Sequence, residues 1–226
     1  MLTNEQAELK ARLLELDTAA VSDAMDSLGC NRALAGIAPR VDGVKMAGPV
    51  YTVQYEPFDS PPTSFQGAGN YIDDVPAGYV LLINNHGNTL CTNWGDILTR
   101  KALMQGIAGT VINGSARDIA LVRSLEYPLF TKGVYMVSGK NRVRVTAVDV
   151  PVIIGDVQVE PGDWLFGDDN GVLVLPAHQI AEILARAEQV LATEADIVRA
   201  IEGGSKLDTA RKSLGYATPW NPPNGR

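Results

Sequence analysis

Apolar residues recur every three to four positions near both ends of the chain, a spacing typical of helices that bury one face. At the start they predict two helices within about residues 4–28, the second capped by Asp17 or Thr18. Near the end they predict one long helix over about residues 177–202, which two glycines end. Residues 205–226 lack this pattern, and we expect an extended tail there.

Short apolar runs alternate with helical segments in the middle of the chain. They predict strands at 79–83, 109–112 and 129–130 and helices at 95–105 and 117–125. This alternation is typical of parallel strands joined by crossover helices. The polar stretches after the first two strands, residues 84–93 and 113–116, are predicted to be turns.

The later part of the chain has a different pattern of apolar residues. Four short runs separated by Gly and Asp predict antiparallel strands at 142–148, 152–159, 163–167 and 171–175. An earlier run at 44–55 also predicts a strand, and residues 57–69 a loop. Because no repeat or composition break marks a linker, the sequence predicts one mixed α/β domain over residues 1–226.

The charge balance excludes some classes of partner. The chain has 19 Lys and Arg against 26 Asp and Glu, a formal net charge of -7. Such a balance opposes binding to a phosphate backbone, so we expect no nucleic-acid partner. No run approaches the ~20 apolar residues that cross a bilayer, and the charged N-terminus lacks the features of a signal peptide. We therefore expect no membrane partner and a cytoplasmic location.

Histidine and cysteine are scarce, which restricts the metals that the chain can bind. There are 2 His and 2 Cys, and a structural zinc site alone uses about four such ligands. A metal here is therefore expected to be a hard cation held by oxygens. Cys30 and Cys91 are far apart in the sequence and are expected to be buried free thiols, although the sequence alone leaves a disulfide open.

A glycine opens the helix predicted after the first polar stretch. In α/β proteins, ligands bind at the carboxyl ends of strands and at the starts of the following helices. After Gly95, the free N–H groups of Asp96, Ile97 and Leu98 can hold a small anion. A packing glycine followed by an ordinary first-turn carboxylate would give the same pattern.

The second polar stretch leads into Arg117 and Asp118. Arginine binds carboxylates through a bidentate fork, and a neighbouring aspartate can hold a divalent cation that stabilises an enolate oxygen. A surface arginine beside a helix-start carboxylate is the alternative. Asn113 in this stretch and His86 in the preceding one are further candidates for substrate contact, although a loop histidine is often structural or solvated.

Several of these segments together resemble the RraA-like family. The resemblance rests on VLLINNHGN (80–88), WGDIL (94–98), GTVINGSARD (109–118), VPV (150–152), VEPGD (159–163), DDNGV (168–172) and SDAMD (22–26). It extends from about residue 16 to 204 and implies a swivelling β/β/α fold with mixed sheets and flanking helices. It also implies homotrimers or dimers of trimers (homohexamers) with the site between subunits.

The resemblance implies two kinds of function. The family includes class II pyruvate aldolases that cleave 4-hydroxy-4-methyl-2-oxoglutarate and 4-carboxy-4-hydroxy-2-oxoadipate, and its members often decarboxylate oxaloacetate. It also includes RraA, which binds and inhibits a ribonuclease. The first function makes the chain a metal-dependent lyase that acts on a small 2-oxo acid, and the second makes it a regulator without chemistry. A related dehydration or decarboxylation of a hydroxy acid is a third interpretation.

The aldolase signature of the family assigns roles to three residues. It consists of an Asp, twenty further residues, Arg-Asp and an acidic residue after two more, and Asp96, Arg117 and Asp118 fit it. Asp118 would then ligate Mg²⁺ (or Mn²⁺) with waters completing the coordination. Arg117 would bind the keto oxygen or carboxylate, and Asp96 would position a water that transfers protons.

Two positions depart from the family pattern. Leu121 stands where the signature has its last acidic residue, and Asn84 stands where members commonly carry Asp. Both departures remove acidic groups that could organise the expected site, and the missing acid at Leu121 supports the regulator as the alternative to the lyase. If the chain is an enzyme, an acidic residue of a neighbouring subunit is expected to substitute, and Glu194 on the long C-terminal helix is the candidate.

Overall fold

The computed structural model describes residues 1–60, 62 and 69–221. Its helices are α1 (Asn4–Glu15), α2 (Thr18–Ser27), α3 (Asp96–Gln105), α4 (Ile119–Ser124), α5 (Ile180–Glu202) and α6 (Leu207–Leu214). Its strands are β1 (Ala38–Pro39), β2 (Met46–Pro57), β3 (Val80–Trp94), β4 (Gly109–Ala116), β5 (Leu129–Val134), β6 (Val143–Val148), β7 (Val152–Ile154), β8 (Val157–Val159), β9 (Trp164–Asp168) and β10 (Gly171–Leu175). Most of the loop predicted at 57–69 lies outside the described residues.

The N-terminal helices begin at side chains that cap them. Thr3 and Gln6 form a capping box at α1, and Asp17 accepts a 2.8 Å hydrogen bond from the Ala20 N–H at α2. The two helices predicted within residues 4–28 are therefore confirmed. The long C-terminal helix is confirmed too, although it begins at Ile180.

Parallel strands form the middle of the main sheet. Its strand order is β1-β5-β4-β3-β2-β9-β10, with β6 paired to the far half of β2. The pairs β2–β3, β3–β4 and β4–β5 are parallel, as the alternation of strands and helices predicted. The later strands pair antiparallel, also as predicted, in β6–β2, β9–β10 and the separate β7–β8 ribbon. The single strand predicted at 152–159 is instead this two-stranded ribbon. The result is a mixed α/β fold.

The two polar stretches that were predicted to be turns lie within strands, so those predictions are wrong. β3 continues to Trp94 and β4 to Ala116, and the two ends pair with each other. Between them the register shifts repeatedly, and His86 adopts a left-handed backbone with φ 53°. Because inserted residues interrupt the alternation of inward and outward side chains, this bulged strand has the sequence pattern of a turn.

Apolar side chains cover both faces of the sheet. One buried cluster joins the sheet to α3 and α4 and includes Tyr55, Trp94 and Tyr127, with Cys91 among its members. A second packs the opposite face against β7 and β8, and a third joins α1, α2 and α5 to β9 and β10. Cys91 is a buried free thiol as expected, whereas the free thiol of Cys30 is only partly buried.

The C-terminal tail is not extended throughout. Residues 207–214 form α6, which corrects the expectation for 205–226, and Gly215 in a left-handed conformation ends the helix. Beyond it, the Trp220 ring lies 5.6 Å from the Arg186 guanidinium of α5. Ala210 of this helix is buried, which the sequence of the tail alone did not predict. Within the described residues, every helix is too short or too polar to cross a membrane.

Candidate active site

A cavity of about 330 Å³ opens where β3 ends and α3 begins. Residues 92–98 form one wall, and Arg117, residues 138–140, Tyr55 and Val143 form the others. The pairing of Trp94 with Ala116 brings the end of β4 beside the start of α3. Two segments that the sequence singled out thus meet at one edge of the sheet, as binding sites in α/β proteins do.

The start of α3 is held in place by its own side chains. The Gly95 carbonyl accepts hydrogen bonds from the N–H and the hydroxyl of Thr99, at 3.0 and 2.8 Å. The same hydroxyl accepts a 2.9 Å bond from the indole N–H of Trp94, whose ring stacks on Tyr127 with centroids 6.0 Å apart. The first turn therefore has a fixed position relative to the sheet.

The Asp118 carboxylate caps this turn from the neighbouring segment. Its Oδ2 accepts a 3.0 Å hydrogen bond from the Asp96 N–H and lies 3.6 Å from the Arg117 Nε. Of the three N–H groups expected to hold an anion, that of Asp96 is therefore already engaged. Those of Ile97 and Leu98 remain available to a ligand, because first-turn N–H groups have no partner inside the helix.

Asp118 itself has an unusual backbone. It adopts φ 59° and ψ 32°, a left-handed conformation, immediately before α4. Such a conformation is strained for a residue with a side chain and is maintained where the surroundings demand it. Here it turns the carboxylate back towards Asp96, while the Arg117 N–H is anchored to the Trp94 carbonyl at 3.0 Å.

The charges at the cavity wall have mixed sign. Arg117 and Lys140 are cationic and line the cavity, and Asp96 lines it with a carboxylate. The side chains of Arg117 and Asp118 are 42% and 38% exposed, so water weakens their attraction and leaves the guanidinium available to a ligand. Burial raises the pKa of Tyr55 to about 12, so its phenol stays protonated at neutral pH.

The structure brings most of the expected site residues together, but not all of them. Gly95, Asp96, Ile97, Leu98 and Arg117 line one cavity, with Asp118 in contact beneath them. The remaining two, His86 and Asn113, lie in a separate polar cluster formed by the end of β2 and the middle of β3 and β4.

That cluster is built from amides. The Asn113 side chain donates a 2.8 Å hydrogen bond to the buried Asn84, and Asn84 donates to Gln54 at 2.9 Å. The His86 ring contacts Glu56 at 2.8 Å. None of these five residues lines the cavity beside Arg117 within this single chain.

The residues at which the chain departs from the family signature also have clear positions. Leu121 lies in the first turn of α4, so no carboxylate is supplied there. Glu194 lies on α5, where burial and the charges of Asp23 and Asp17 raise its pKa. It is not part of the cavity wall of its own chain.

The carboxylate oxygens of Asp118 are of the kind that a hard divalent cation prefers. Asp118 uses Oδ2 towards Asp96 and Arg117, which leaves Oδ1 for another ligand. In the part of the chain that the structure describes, no group of three or more His, Cys, Asp or Glu side chains converges. A single carboxylate with waters is the coordination that Mg²⁺ tolerates, whereas Zn²⁺ would need more protein ligands.

The sequence analysis missed Asn93 and Tyr55. Asn93 lies in the stretch that was predicted to be a turn, and its position in the wall follows from the continuation of β3 to Trp94. Tyr55 was assigned to a strand with no role beyond its aromatic side chain. The sequence could have indicated Asn93 only through its position three residues before Asp96.

Comparison with known proteins connects this geometry to a family. Residues 18–174 match the family model described as RraA-like, Aldolase/RraA. Protein DlpA of Legionella pneumophila is 43% identical over 212 residues, which cover 94% of this chain but 34% of DlpA, so the chain spans about a third of that protein. A Halalkalibacterium halodurans protein named "Putative 4-hydroxy-4-methyl-2-oxoglutarate aldolase" is 30% identical over 186 residues, which cover 82% of this chain and 85% of that protein.

Solved structures give the same result at the level of the fold. An uncharacterized protein from Pseudomonas syringae pv. tomato superposes with a TM-score of 0.86 at 45% identity, covering 91% of this chain and 93% of the other. Streptomyces coelicolor RraAS2, described as an unusual member of the RNase ES inhibitor RraA protein family, gives a TM-score of 0.75 at 30% identity and covers 83% and 95%. Since the family model spans most of the sequence and these folds agree, the chain belongs to the RraA-like family.

Proposed function

We propose that the chain is a divalent-metal-dependent lyase that cleaves a carbon–carbon bond in a small hydroxy-oxo-diacid or 2-oxo-diacid and releases pyruvate. The observation that carries the proposal is the meeting of Asp96, Arg117 and Asp118 at one cavity. The name of the Halalkalibacterium halodurans relative supports an aldolase. The spacing of these three residues in the sequence agrees with the aldolase signature.

Two groups in the cavity bind the pyruvate half of the substrate. The Arg117 guanidinium offers paired N–H donors to a carboxylate or keto oxygen, and its partial exposure leaves it free to do so. The N–H groups of Ile97 and Leu98 at the start of α3 suit a carboxylate, because they have no partner within the part of the chain that the structure describes and lie at the positive end of the helix dipole. Lys140 adds positive charge to the wall.

In aldol cleavage the substrate hydroxyl loses its proton and its carbon becomes a carbonyl. The carbon–carbon bond breaks, its electron pair leaves as the enolate of pyruvate, and the enolate takes up a proton. The Asp96 carboxylate, which lines the cavity, relays these protons through a water. Asp118 would hold Mg²⁺ or Mn²⁺, and the bound cation would act as a Lewis acid that stabilises negative charge on the enolate.

The test is pyruvate release from 4-hydroxy-4-methyl-2-oxoglutarate and from oxaloacetate, with Mg²⁺ and with EDTA. We expect activity with the metal, a loss of at least about 100-fold on chelation, and a similar loss in Asp118→Ala, since a metal role supplies several kcal/mol. Asp208→Ala, which removes an exposed carboxylate on α6, is the control and should be fully active. Activity that survives both EDTA and Asp118→Ala would contradict the metal role.

A regulatory function is the second candidate, because Leu121 removes the last acidic group of the signature. A structural neighbour is also described as a member of an RNase ES inhibitor family. A chain that binds neither Mg²⁺ nor pyruvate in a calorimeter, and that forms a stable complex with a ribonuclease, would favour this function. Binding of both small ligands without such a complex would favour the lyase.

A further inference from the structure

Asn93 is a buried asparagine whose carboxamide makes no hydrogen bond to the described residues. It lines the cavity at the end of β3 and is only 6% exposed. Neither Nδ2 nor Oδ1 has a hydrogen-bond partner among residues 1–60, 62 and 69–221. An unpaired buried polar group costs about 1–3 kcal/mol, so an asparagine here is unfavourable for folding.

The neighbouring buried asparagines differ from Asn93 in this respect. The Asn84 carboxamide donates to Gln54 and accepts from Asn113. The Asn85 amide is directed at the Cys91 sulfur, 3.9 Å away. Asn113 leaves its Oδ1 unpaired but pairs its Nδ2 with Asn84. Among the described asparagines of this group, Asn93 is therefore the one with neither carboxamide atom paired, and it lines the cavity.

The backbone around Asn93 is fixed although its side chain is not. The N–H of the preceding Thr92 donates to the Val137 carbonyl at 2.9 Å, and its carbonyl accepts from the Gly139 N–H at 2.9 Å. On the other side, Trp94 is held through Thr99. The carboxamide can turn towards a ligand without breaking any hydrogen bond.

Space beside the carboxamide is kept open by a glycine. A Cβ at Gly114 would lie 3.4 Å from the Asn93 Oδ1, 3.2 Å from the Asn85 Cβ and 3.2 Å from the Asn88 carbonyl oxygen. A side chain at this position of β4 would be tight against Asn85 and the Asn88 carbonyl and would meet the Asn93 Oδ1 at ordinary contact distance. The Asn93 Oδ1 thus lies beside the backbone of β4 without a hydrogen bond to the described residues.

We propose that Asn93 binds the hydroxyl group of a hydroxylated diacid substrate and selects such substrates over analogues that lack the hydroxyl. Arg117 and the N–H groups of α3 are donors only, and they suit carboxylate and keto oxygens. A hydroxyl also needs an acceptor. Besides the charged Asp96 carboxylate, which relays protons, the Asn93 Oδ1 provides a neutral acceptor while Nδ2 donates to the hydroxyl oxygen. Because the carboxamide is neutral, it does so without adding negative charge beside a dianion. This inference rests on the proposed function.

The first experiment compares two reactions in one variant. Asn93→Leu replaces the carboxamide with an apolar group of similar size. We expect kcat/KM for 4-hydroxy-4-methyl-2-oxoglutarate to fall at least about 10-fold and oxaloacetate decarboxylation to change less than about 3-fold, since a site that pairs with a hydroxyl loses most for the substrate that carries one. Asn93→Ser, which retains a neutral donor and acceptor, should restore part of the preference.

The same variant separates a binding role from a structural one. Removing two unpaired buried polar atoms should leave the melting temperature of Asn93→Leu equal to or above that of the parent chain. Asn85→Leu, the matched control, removes a buried carboxamide away from the cavity and should leave the ratio of the two reactions unchanged. A fall of both reactions by the same factor, or a lower melting temperature in Asn93→Leu, would overturn the proposal.

A binding measurement distinguishes failure of this inference from failure of the proposed function. Calorimetry with L-malate and succinate, which differ by one hydroxyl, should give at least about 10-fold tighter binding of malate, and Asn93→Leu should abolish the difference. Equal affinities in the parent chain, or no binding of either acid, would overturn the role of Asn93. Preference for malate without any release of pyruvate would overturn the lyase and leave the role of Asn93 standing.

Discussion

Gly95 is required by lack of space and not by backbone freedom. Its φ of -168° is extended and open to any residue. A Cβ there would lie 2.6 Å from the Asp118 Oδ2 and 3.3 Å from two side-chain atoms of Arg117. The bond between the Asp118 carboxylate and the Asp96 N–H therefore exists only because residue 95 has no side chain.

Gly95→Ala should displace the Asp118 carboxylate and break this hydrogen bond. A charge-assisted bond contributes about 1.5–3 kcal/mol, so kcat/KM for pyruvate release should fall roughly 10- to 100-fold. Gly203→Ala, at a position where a Cβ meets only ordinary contacts at 3.4 Å, is the control for the added methyl group. Parent-like activity in Gly95→Ala would show that the Asp118–Asp96 contact is dispensable.

At the scale of elements, one buried carboxylate joins the N-terminal helices to the sheet. Asp168 at the end of β9 accepts hydrogen bonds from the N–H and hydroxyl of Thr18, at 2.8 and 2.7 Å, and from the Asn170 N–H at 2.9 Å. It thereby holds the first turn of α2 against the β9–β10 hairpin. The side chain is buried, so each lost bond leaves an unpaired group.

Asp168→Ala is expected to lower the free energy of unfolding by about 2–4 kcal/mol, because three hydrogen bonds to a buried carboxylate are lost together. Urea unfolding followed by circular dichroism measures the change. The adjacent Asp169→Ala loses one exposed bond, to the Gly43 N–H, and should cost less than about 1 kcal/mol. Equal losses in the two variants would contradict the role assigned to Asp168.

The elements that were predicted correctly are those with a regular period. The helices and the parallel strands follow from spacings of three to four residues and from short apolar runs. The structure brings Arg117 and Asp118, which the sequence singled out separately, beside Gly95. The bulged part of β3 has no period, so it was taken for a turn and Asn93 was missed. Helix α6 was also missed, because it packs against the distant α5 and buries Ala210. The sequence of the tail alone does not indicate that contact.

At the scale of the whole molecule, carboxylates from the two ends of the chain lie near one another. α2 packs against α5, and burial together with the charges of Asp23 and Asp17 raises the pKa of Glu194 at this contact. The folded protein therefore binds this proton more tightly than the unfolded chain does. The resulting stabilisation is complete below the ordinary pKa of 4.5 and is lost as the pH rises through the higher pKa of the folded state.

Glu194→Gln should accordingly be more stable than the parent chain at pH 7 and equal to it near pH 4. The gain should stay below about 1 kcal/mol, since Glu194 is partly exposed and water weakens the repulsion. Urea titrations at the two pH values measure it, with Glu202→Gln on an exposed position of the same helix as the control. A gain of the same size at both pH values would exclude repulsion between carboxylates as its cause.

Because of the bulges in β3, the number of residues in this segment does not determine the geometry of the site. β3 advances from Asn84 to Trp94 while β4 advances only from Asn113 to Ala116, and pairing is re-established at the end. Residues can therefore be inserted or deleted around Leu90, which is exposed, without moving Gly95 relative to Arg117. In this segment a designer can graft new contacts beside an unchanged cavity.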